Sequence, residues 1–153
     1  MKIEVANLEP QIAVATKRTT VNMEQIAEVA TEGLTKLMKF IAEQGKEIAG
    51  APYLAYTNCN EDFSEFDIEL GIPVNKAMPT TGEIFMSQTY GGKAIATTYK
   101  GAYKDIEMAY TALMDYAKAN TLDLTGAYYD YYINDPADTP EDELLTQVVF
   151  PIR

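Results

Sequence analysis

Apolar and polar positions along the chain switch between two periods, and the switches mark out its elements. Residues 2 to 18 alternate loosely, with Ile3, Val5, Ile12 and Val14 apolar and Asn7, Glu9 and Pro10 interrupting, which predicts a strand with a turn or bulge near Pro10. Thr19-Thr20 ends it. From Asn22 the apolar residues recur at three-four spacing, through Ile26, Ala30, Leu34, Leu37, Met38 and Ile41, which predicts a helix with its stripe turned to the core. Asn22 and Gln25 have the form of a capping box, and Gly45 supplies the stop. Pro52 to Asn58 reads as a short strand holding Tyr53 and Tyr56, and Cys59 to Ser64 as a loop. A clean alternation follows: Phe66, Ile68, Leu70, Ile72 and Val74 share the core face of a strand, with Asp67 and Glu69 on the other. Those two acids are either a solvated sheet face or the acidic wall of a pocket over the sheet.

After a link from Asn75 to Gly82, the second half runs through a similar series. Ile84 to Tyr90, Gly91-Gly92 and Lys93 to Tyr99 read as a hairpin with a two-glycine turn. From Lys104 a second helix carries Ile106, Ala109, Tyr110, Leu113, Met114 and Ala117 on one side, with Asp105 in its first turn and Asn120 past its end. Strands follow at Ala127 to Asn134 and Leu144 to Ile152, separated by the loop Asp135 to Asp142. Gly50 to Asn58 aligns without gaps on Gly126 to Asn134, and Phe66 to Val74 on Leu144 to Ile152. The expected fold is therefore α+β: two pseudo-twofold-related strand-helix-strand-strand modules, at about 1–76 and 82–153, in one domain spanning 1–153. A module of that size cannot bury its own sheet face alone. The two are expected to join in a mostly antiparallel sheet, with both long helices on one face and a shared ligand cleft on the other.

The run Tyr128-Tyr129-Asp130-Tyr131-Tyr132 presses four rings around one acid. In a strand, Tyr128, Asp130 and Tyr132 share a face, because alternate side chains point the same way. Aspartate is depleted in strands, and aromatic faces attract cations at about 0.5 to 2 kcal/mol each, so the trio suits a flat, hydrophobic, positively charged ligand. The plainer reading is an edge strand with a solvated aspartate. In the repeat alignment Leu54 takes the place of Asp130 and Tyr56 that of Tyr132, so one half carries the charge and both contribute rings.

Composition narrows the chemistry. The 153 residues hold 23 acidic and 12 basic side chains, a formal net charge of -11, which disfavours direct nucleic-acid binding and favours cationic partners. Histidine is absent, which removes Ser-His and Cys-His dyads and histidine metal ligands. A single cysteine, Cys59, excludes an internal disulfide, and there is no dinucleotide or P-loop glycine motif, so no metal and no cofactor are expected. No apolar run is long enough to span a bilayer and Met1-Lys2-Ile3-Glu4 lacks a signal peptide's apolar core, so the expectation is a cytoplasmic protein without membrane contact.

Several segments resemble the gyrase-inhibitor-like (GyrI-like) effector-binding domain family, also found as the drug-sensing half of multidrug-responsive transcription activators. They are Gly101-Ala102-Tyr103 entering a helix with Ala109 to Leu113, Tyr132 to Pro136 followed by Thr139 to Thr146, Val149-Phe150-Pro151-Ile152, and Phe66 to Val74. Together they cover essentially the whole chain. The resemblance implies a pseudo-twofold domain with a cleft for lipophilic, often cationic, small molecules. The family's central acid is typically a glutamate and here falls on Asp130. The shorter carboxylate sits about 1.5 Å farther back, which matters little for attracting a cation and more for chemistry that needs placement within about 0.5 Å. Family members include enzymes that hydrolyse cyclopropane-containing toxins with an acid and a tyrosine. The family's usual helix-turn-helix partner has no counterpart among these residues.

The primary expectation is a stand-alone small-molecule-binding domain. Asp130 is its counter-charge, Tyr128, Tyr132 and Tyr56 are ring walls, and Glu69 and Tyr110 are secondary contacts. One alternative is a hydrolase of strained cyclopropane-type toxins with Asp130 as general acid or base. The other is an acidic protein-interaction module acting on a topoisomerase, which the scattered placement of the acids does not support.

Overall fold

The computed structural model describes residues 2–22, 24–59, 64–80, 82–135 and 138–153. The elements are β1 (Ile3–Leu8), β2 (Ile12–Asn22), α1 (Ile26–Glu43), β3 (Tyr53–Cys59), β4 (Glu65–Pro73), β5 (Phe85–Gln88), β6 (Gly92–Lys100), α2 (Glu107–Ala119), β7 (Tyr128–Tyr132) and β8 (Leu145–Pro151). Short 3-10 turns at Tyr103–Asp105 and Glu141–Glu143 precede α2 and β8. The protein is α+β with antiparallel strands and two long helices. No helix among the described residues is long and apolar enough to cross a membrane.

The chain divides into two units, Pro10–Tyr90 and a second made of Met1–Glu9 with Gly91–Arg153. In the first, β5, β2, β4 and β3 pair in that order, and α1 packs on β2 and β4. Ile72, Leu70 and Ile68 of β4 oppose Val14, Thr16 and Arg18 of β2, and Leu54 and Tyr56 of β3 oppose Leu70 and Ile68. Phe66, Ile68, Leu70 and Ile72 are buried, as are Leu37 and Ile41 of α1, which packs on β4, and this bears out the alternation read from the sequence. Asn22 and Gln25 exchange backbone-to-side-chain hydrogen bonds of 3.2 and 3.0 Å, the expected capping box, one turn before the regular helix begins. Gly45 takes a left-handed φ of +66°, and its N–H and that of Lys46 close the helix on the carbonyls of Ala42 and Ile41.

In the second unit the order is β1, β6, β8, β7. Ile95, Tyr99, Val148, Phe150 and Ile152 form its core with Ala109, Leu113 and Ala117 of α2. The strand pair that follows each helix keeps the same register in both units. Tyr53 opposes Gly71 as Tyr129 opposes Val149, Leu54 opposes Leu70 as Asp130 opposes Val148, and Tyr56 opposes Ile68 as Tyr132 opposes Thr146.

Four local expectations give way. Residues 2–18 are not one interrupted strand: β1 pairs with β6 and β2 with β4 and β5, so the break at Pro10 separates strands of different units. β2 also runs past Thr19-Thr20 to Asn22, through a register shift between Arg18 and Val21 where Thr20 adopts a φ of 55°. The hairpin at Gly91-Gly92 does not form, because β5 completes its ladder on β2 and β6 lies between β1 and β8. A two-glycine turn is a local signal, and here it is outweighed by the pairing of β5 with β2 and of β6 with β1 on one side and β8 on the other. Met114 lies on the outer side of α2, 50% exposed, and Tyr116 packs against the core instead. The predicted loops at Cys59 to Ser64 and Asp135 to Asp142 fall in part outside the described residues.

Candidate functional site

β7 is only five residues long, and its alternation decides what faces α2. Asp130 opposes Val148 and Tyr132 opposes Thr146, so Tyr128, Asp130 and Tyr132 share the face of β8 that carries Thr146, Val148 and Phe150, the face covered by α2. Asp130 is 4% exposed. One carboxylate oxygen, Oδ2, accepts a hydrogen bond of 2.6 Å from the Tyr110 hydroxyl of α2. The other, Oδ1, has no hydrogen-bond partner among the described residues. Burial pushes the Asp130 carboxyl up to about 7, and the Tyr110 hydrogen bond partly offsets that rise.

Three rings close around the acid. Tyr110 lies 5.2 Å from Tyr128 and 6.1 Å from Phe150, and Tyr128 lies 5.4 Å from Phe150, all centroid to centroid. Aromatic pairs at these spacings contribute about 0.5 to 1.5 kcal/mol each beyond the area they bury. Along the strand, Tyr132 meets Tyr103 edge-on at 5.5 Å. Burial, and then the Asp135 carboxylate, raise the Tyr103 phenol, which keeps it a hydrogen-bond donor. An acid able to hold or release a proton near neutrality, walled by the half-buried rings of Tyr110 and Tyr128 and the buried ring of Phe150, can pair with a cation or exchange a proton with a bound molecule.

The structure thus gathers Asp130, Tyr128 and Tyr110, with Tyr132 on the same face. Tyr56 and Glu69 belong to the other unit and point to opposite faces of its sheet. Tyr56 sits on the α1 side, its ring edge-on to Phe66 at 5.4 Å. Glu69 lies on the far side, where the hydroxyls of Tyr53 and Ser87 both donate to its Oε2, at 2.7 and 2.9 Å. Those two bonds make Glu69 an anchor for β3 and β5. Tyr110, which lies on the helix stripe, is at once part of the core and the partner of the acid. Phe150 and Tyr103 were not singled out from sequence as walls. Phe150 was legible only through the pairing of β7 with β8, which makes it a same-face neighbour of Tyr128.

The cleft expected from sequence lies on the face turned away from the helices, whereas the Asp130 cluster is assembled beneath α2. On the other face of this unit Tyr129 and Tyr131 stack at 6.2 Å. A cavity of about 180 Å³ there is bordered by Lys2, Glu4, Ala96, Thr97, Thr98 and Gln147. Its acid, Glu4, already pairs with Lys2 at 3.2 Å. No aromatic residue among the described residues borders it, and it is smaller than the roughly 300 to 1,000 Å³ of drug-sized pockets.

Solved structures share this fold. EcmrR in its complex with DNA matches with a TM-score of 0.86 and 19% identity over 99% of this chain and 57% of that one. The chain thus spans little more than half the length of that protein. The EcmrR C-terminal domain alone matches with a TM-score of 0.81 and 18% identity, over 99% and 97% of the two chains. SAV2435, solved bound to tetraphenylphosphonium, gives 0.66 and 15% over 100% and 94%. A hydrolase encoded by lin2189 from Listeria innocua gives 0.68 and 9% over 99% and 92%. At these identities the likeness is one of fold. No curated relative matches the chain. The family model of the GyrI-like small molecule binding domain, however, matches residues 1–153 from end to end, and the chain belongs to that family.

Proposed function

We propose that this chain binds lipophilic cationic small molecules at the Asp130 cluster, with Asp130 as counter-charge and Tyr110, Tyr128, Tyr132 and Phe150 as ring walls. The observation that carries this reading is a carboxylate 4% exposed with one oxygen unpartnered among the described residues. A buried acid without its full set of partners costs stability, and a cation that entered would supply the missing partner. The cation would also draw the proton off a carboxyl whose pKa stands at about 7, so binding and proton release are linked. The family's role as a small-molecule binder and the tetraphenylphosphonium bound to SAV2435 support the choice of ligand class.

The test is calorimetric titration with tetraphenylphosphonium and with the neutral tetraphenylmethane core carrying a solubilising chain, against wild type and Asp130→Asn. The cation should bind wild type at least about tenfold more tightly than the variant, a difference of about 1.4 kcal/mol, while the neutral compound distinguishes them little. Equal affinity of the cation for both proteins would end the electrostatic account.

A second reading is favoured by the 2.6 Å contact between Tyr110 and Asp130. An acid near neutral pKa joined to a phenol is suited to proton transfer on a strained alkylating ring, and one fold neighbour is a hydrolase. Incubation of a cyclopropane-containing alkylator with wild type and Asp130→Asn separates the readings: equal loss of compound in both samples excludes hydrolysis by this acid.

A further inference from the structure

A second buried polar atom lies beside the acid. Thr146 of β8 is 0% exposed, and its Oγ1 has no hydrogen-bond partner among the described residues. Thr146 opposes Tyr132, and Asp130 opposes Val148, so Thr146 and Asp130 are diagonal neighbours on the α2 face of adjacent strands. Such neighbours stand about 7 to 8 Å apart at their Cα atoms and closer at their tips. A buried polar group left unpaired costs about 1 to 3 kcal/mol, so two on one diagonal call for a cause.

The fold itself is not that cause. At the same register positions of the other unit stand Leu54, opposite Leu70, and Ile68, opposite Tyr56, and both are fully buried aliphatic side chains. One ladder is therefore built twice. Its first version is apolar at both places, and its second carries a carboxylate and a hydroxyl.

We propose that Asp130 Oδ1 and Thr146 Oγ1 form a two-point seat for a single N–H-bearing cationic group, a protonated primary or secondary amine on an aromatic ligand. The inference rests on the reading of Asp130 as counter-charge and narrows its ligand class. One nitrogen at about 2.8 Å from each of two acceptors bridges a gap of up to about 5.6 Å, which suits the tips of a diagonal pair. The ammonium supplies two donors at once, the carboxylate takes the charge, and the hydroxyl rotor turns its own proton aside. A quaternary cation satisfies the charge but brings no N–H, and so leaves both oxygens unpaired. Sites built to receive a donor discriminate against analogues that lack it. Thr146 is in this account the specificity-determining residue, while Asp130 provides affinity for any cation.

The experiment uses two probes, (2-naphthylmethyl)ammonium and its N,N,N-trimethyl counterpart, titrated at about pH 8 into wild type, Thr146→Val, Thr146→Ser and Asp130→Asn. Wild type and Thr146→Ser should prefer the primary ammonium by about tenfold or more. Thr146→Val, which keeps the shape and loses the hydroxyl, should erase the preference without weakening the trimethyl probe. Asp130→Asn should weaken both. If the trimethyl probe binds wild type as tightly as the primary ammonium, or if Thr146→Val retains the preference, the seat is refuted while the cation reading stands. If Thr146→Val shifts only the melting temperature, the hydroxyl serves a bridging water or the packing, and the seat is equally refuted. If neither probe binds, or Asp130→Asn binds both undiminished, the counter-charge reading falls with it.

Discussion

Asp130 and Leu54 occupy the same register position in the two units, opposite Val148 and Leu70, and both are nearly inaccessible to solvent. The aliphatic member shows what this ladder carries when only packing is at stake. Asp130→Leu should therefore stabilise the protein at about pH 8 by about 1 to 3 kcal/mol, the cost of an unpaired buried polar group, and abolish cation binding. Urea denaturation of wild type and variant gives the comparison. A large loss of stability would mean that the carboxylate is required by the fold.

The raised carboxyl makes stability depend on pH in a direction opposite to that of most acids. A folded-state value of about 7 against an ordinary 3.8 means that the folded protein binds more protons than the unfolded chain between those values. The contribution of Asp130 is complete below about 3.8 and is lost as pH rises through about 7. Wild type should thus lose stability relative to Asp130→Asn from about pH 5 to about pH 8, by an amount on the order of a few kcal/mol. Parallel curves for the two proteins across that range would show that Asp130 titrates normally.

Tyr110→Phe removes the hydrogen bond that holds the carboxyl down. The Asp130 midpoint, followed by carbon-13 NMR of the carboxyl, should move above its wild-type position, and affinity for a permanent cation at neutral pH should fall because less of the acid is ionised. An unchanged midpoint would show that the phenol and the carboxylate are not bonded in solution.

Gly71 answers to Tyr53. A Cβ added at Gly71 would come within 2.3 Å of the Tyr53 ring, whose hydroxyl donates to Glu69. Gly71→Ala should cost about 1 to 3 kcal/mol through that overlap, and a Tyr53→Leu background should recover part of the loss. Thermal melts of the four proteins form the double-mutant cycle, and strict additivity would refute the contact.

Much of this fold can be read from its residues, for reasons that differ by element. The stripe from Ile26 to Ile41, with Asn22, Gln25 and Gly45 at its ends, is a local pattern, and local patterns survive folding. The repeat was legible because each helix is followed by the same strand pair in the same register. The partners of β1 and β5 were not, because an edge strand's neighbour is chosen by which distant ladder it extends, and Gly91-Gly92 advertises a nearer reversal. Asp130 stands out in the sequence by the rings around it, whereas the place of Tyr110 on the helix stripe points to the core and does not reveal its hydrogen bond to the acid. For Glu69 and Tyr56 alternation shows which residues share a face without showing what covers it, so the hydroxyls of Tyr53 and Ser87 on Glu69 and the ring of Phe66 beside Tyr56 are not legible in the sequence. Thr146 gave no signal on its own, since a threonine in a strand is ordinary; it becomes informative only opposite Tyr132 and against Ile68 of the other unit.

The membership of β1 in the second unit bears on how the chain acquires its shape as it emerges from the ribosome. The unit from Pro10 to Tyr90 has all its strands in hand once residue 90 has been made. The unit that holds Asp130 has its first strand, β1, before that stretch and its other strands, β6 to β8, after it. Ile3–Leu8 must wait while the whole Pro10–Tyr90 unit is made before β6 arrives, and contacts of such long sequence separation form slowly. The unit that carries Asp130 is thus the later to mature, and a nascent chain passes through a stage in which the Pro10–Tyr90 unit is complete and the Asp130 cluster is not yet assembled.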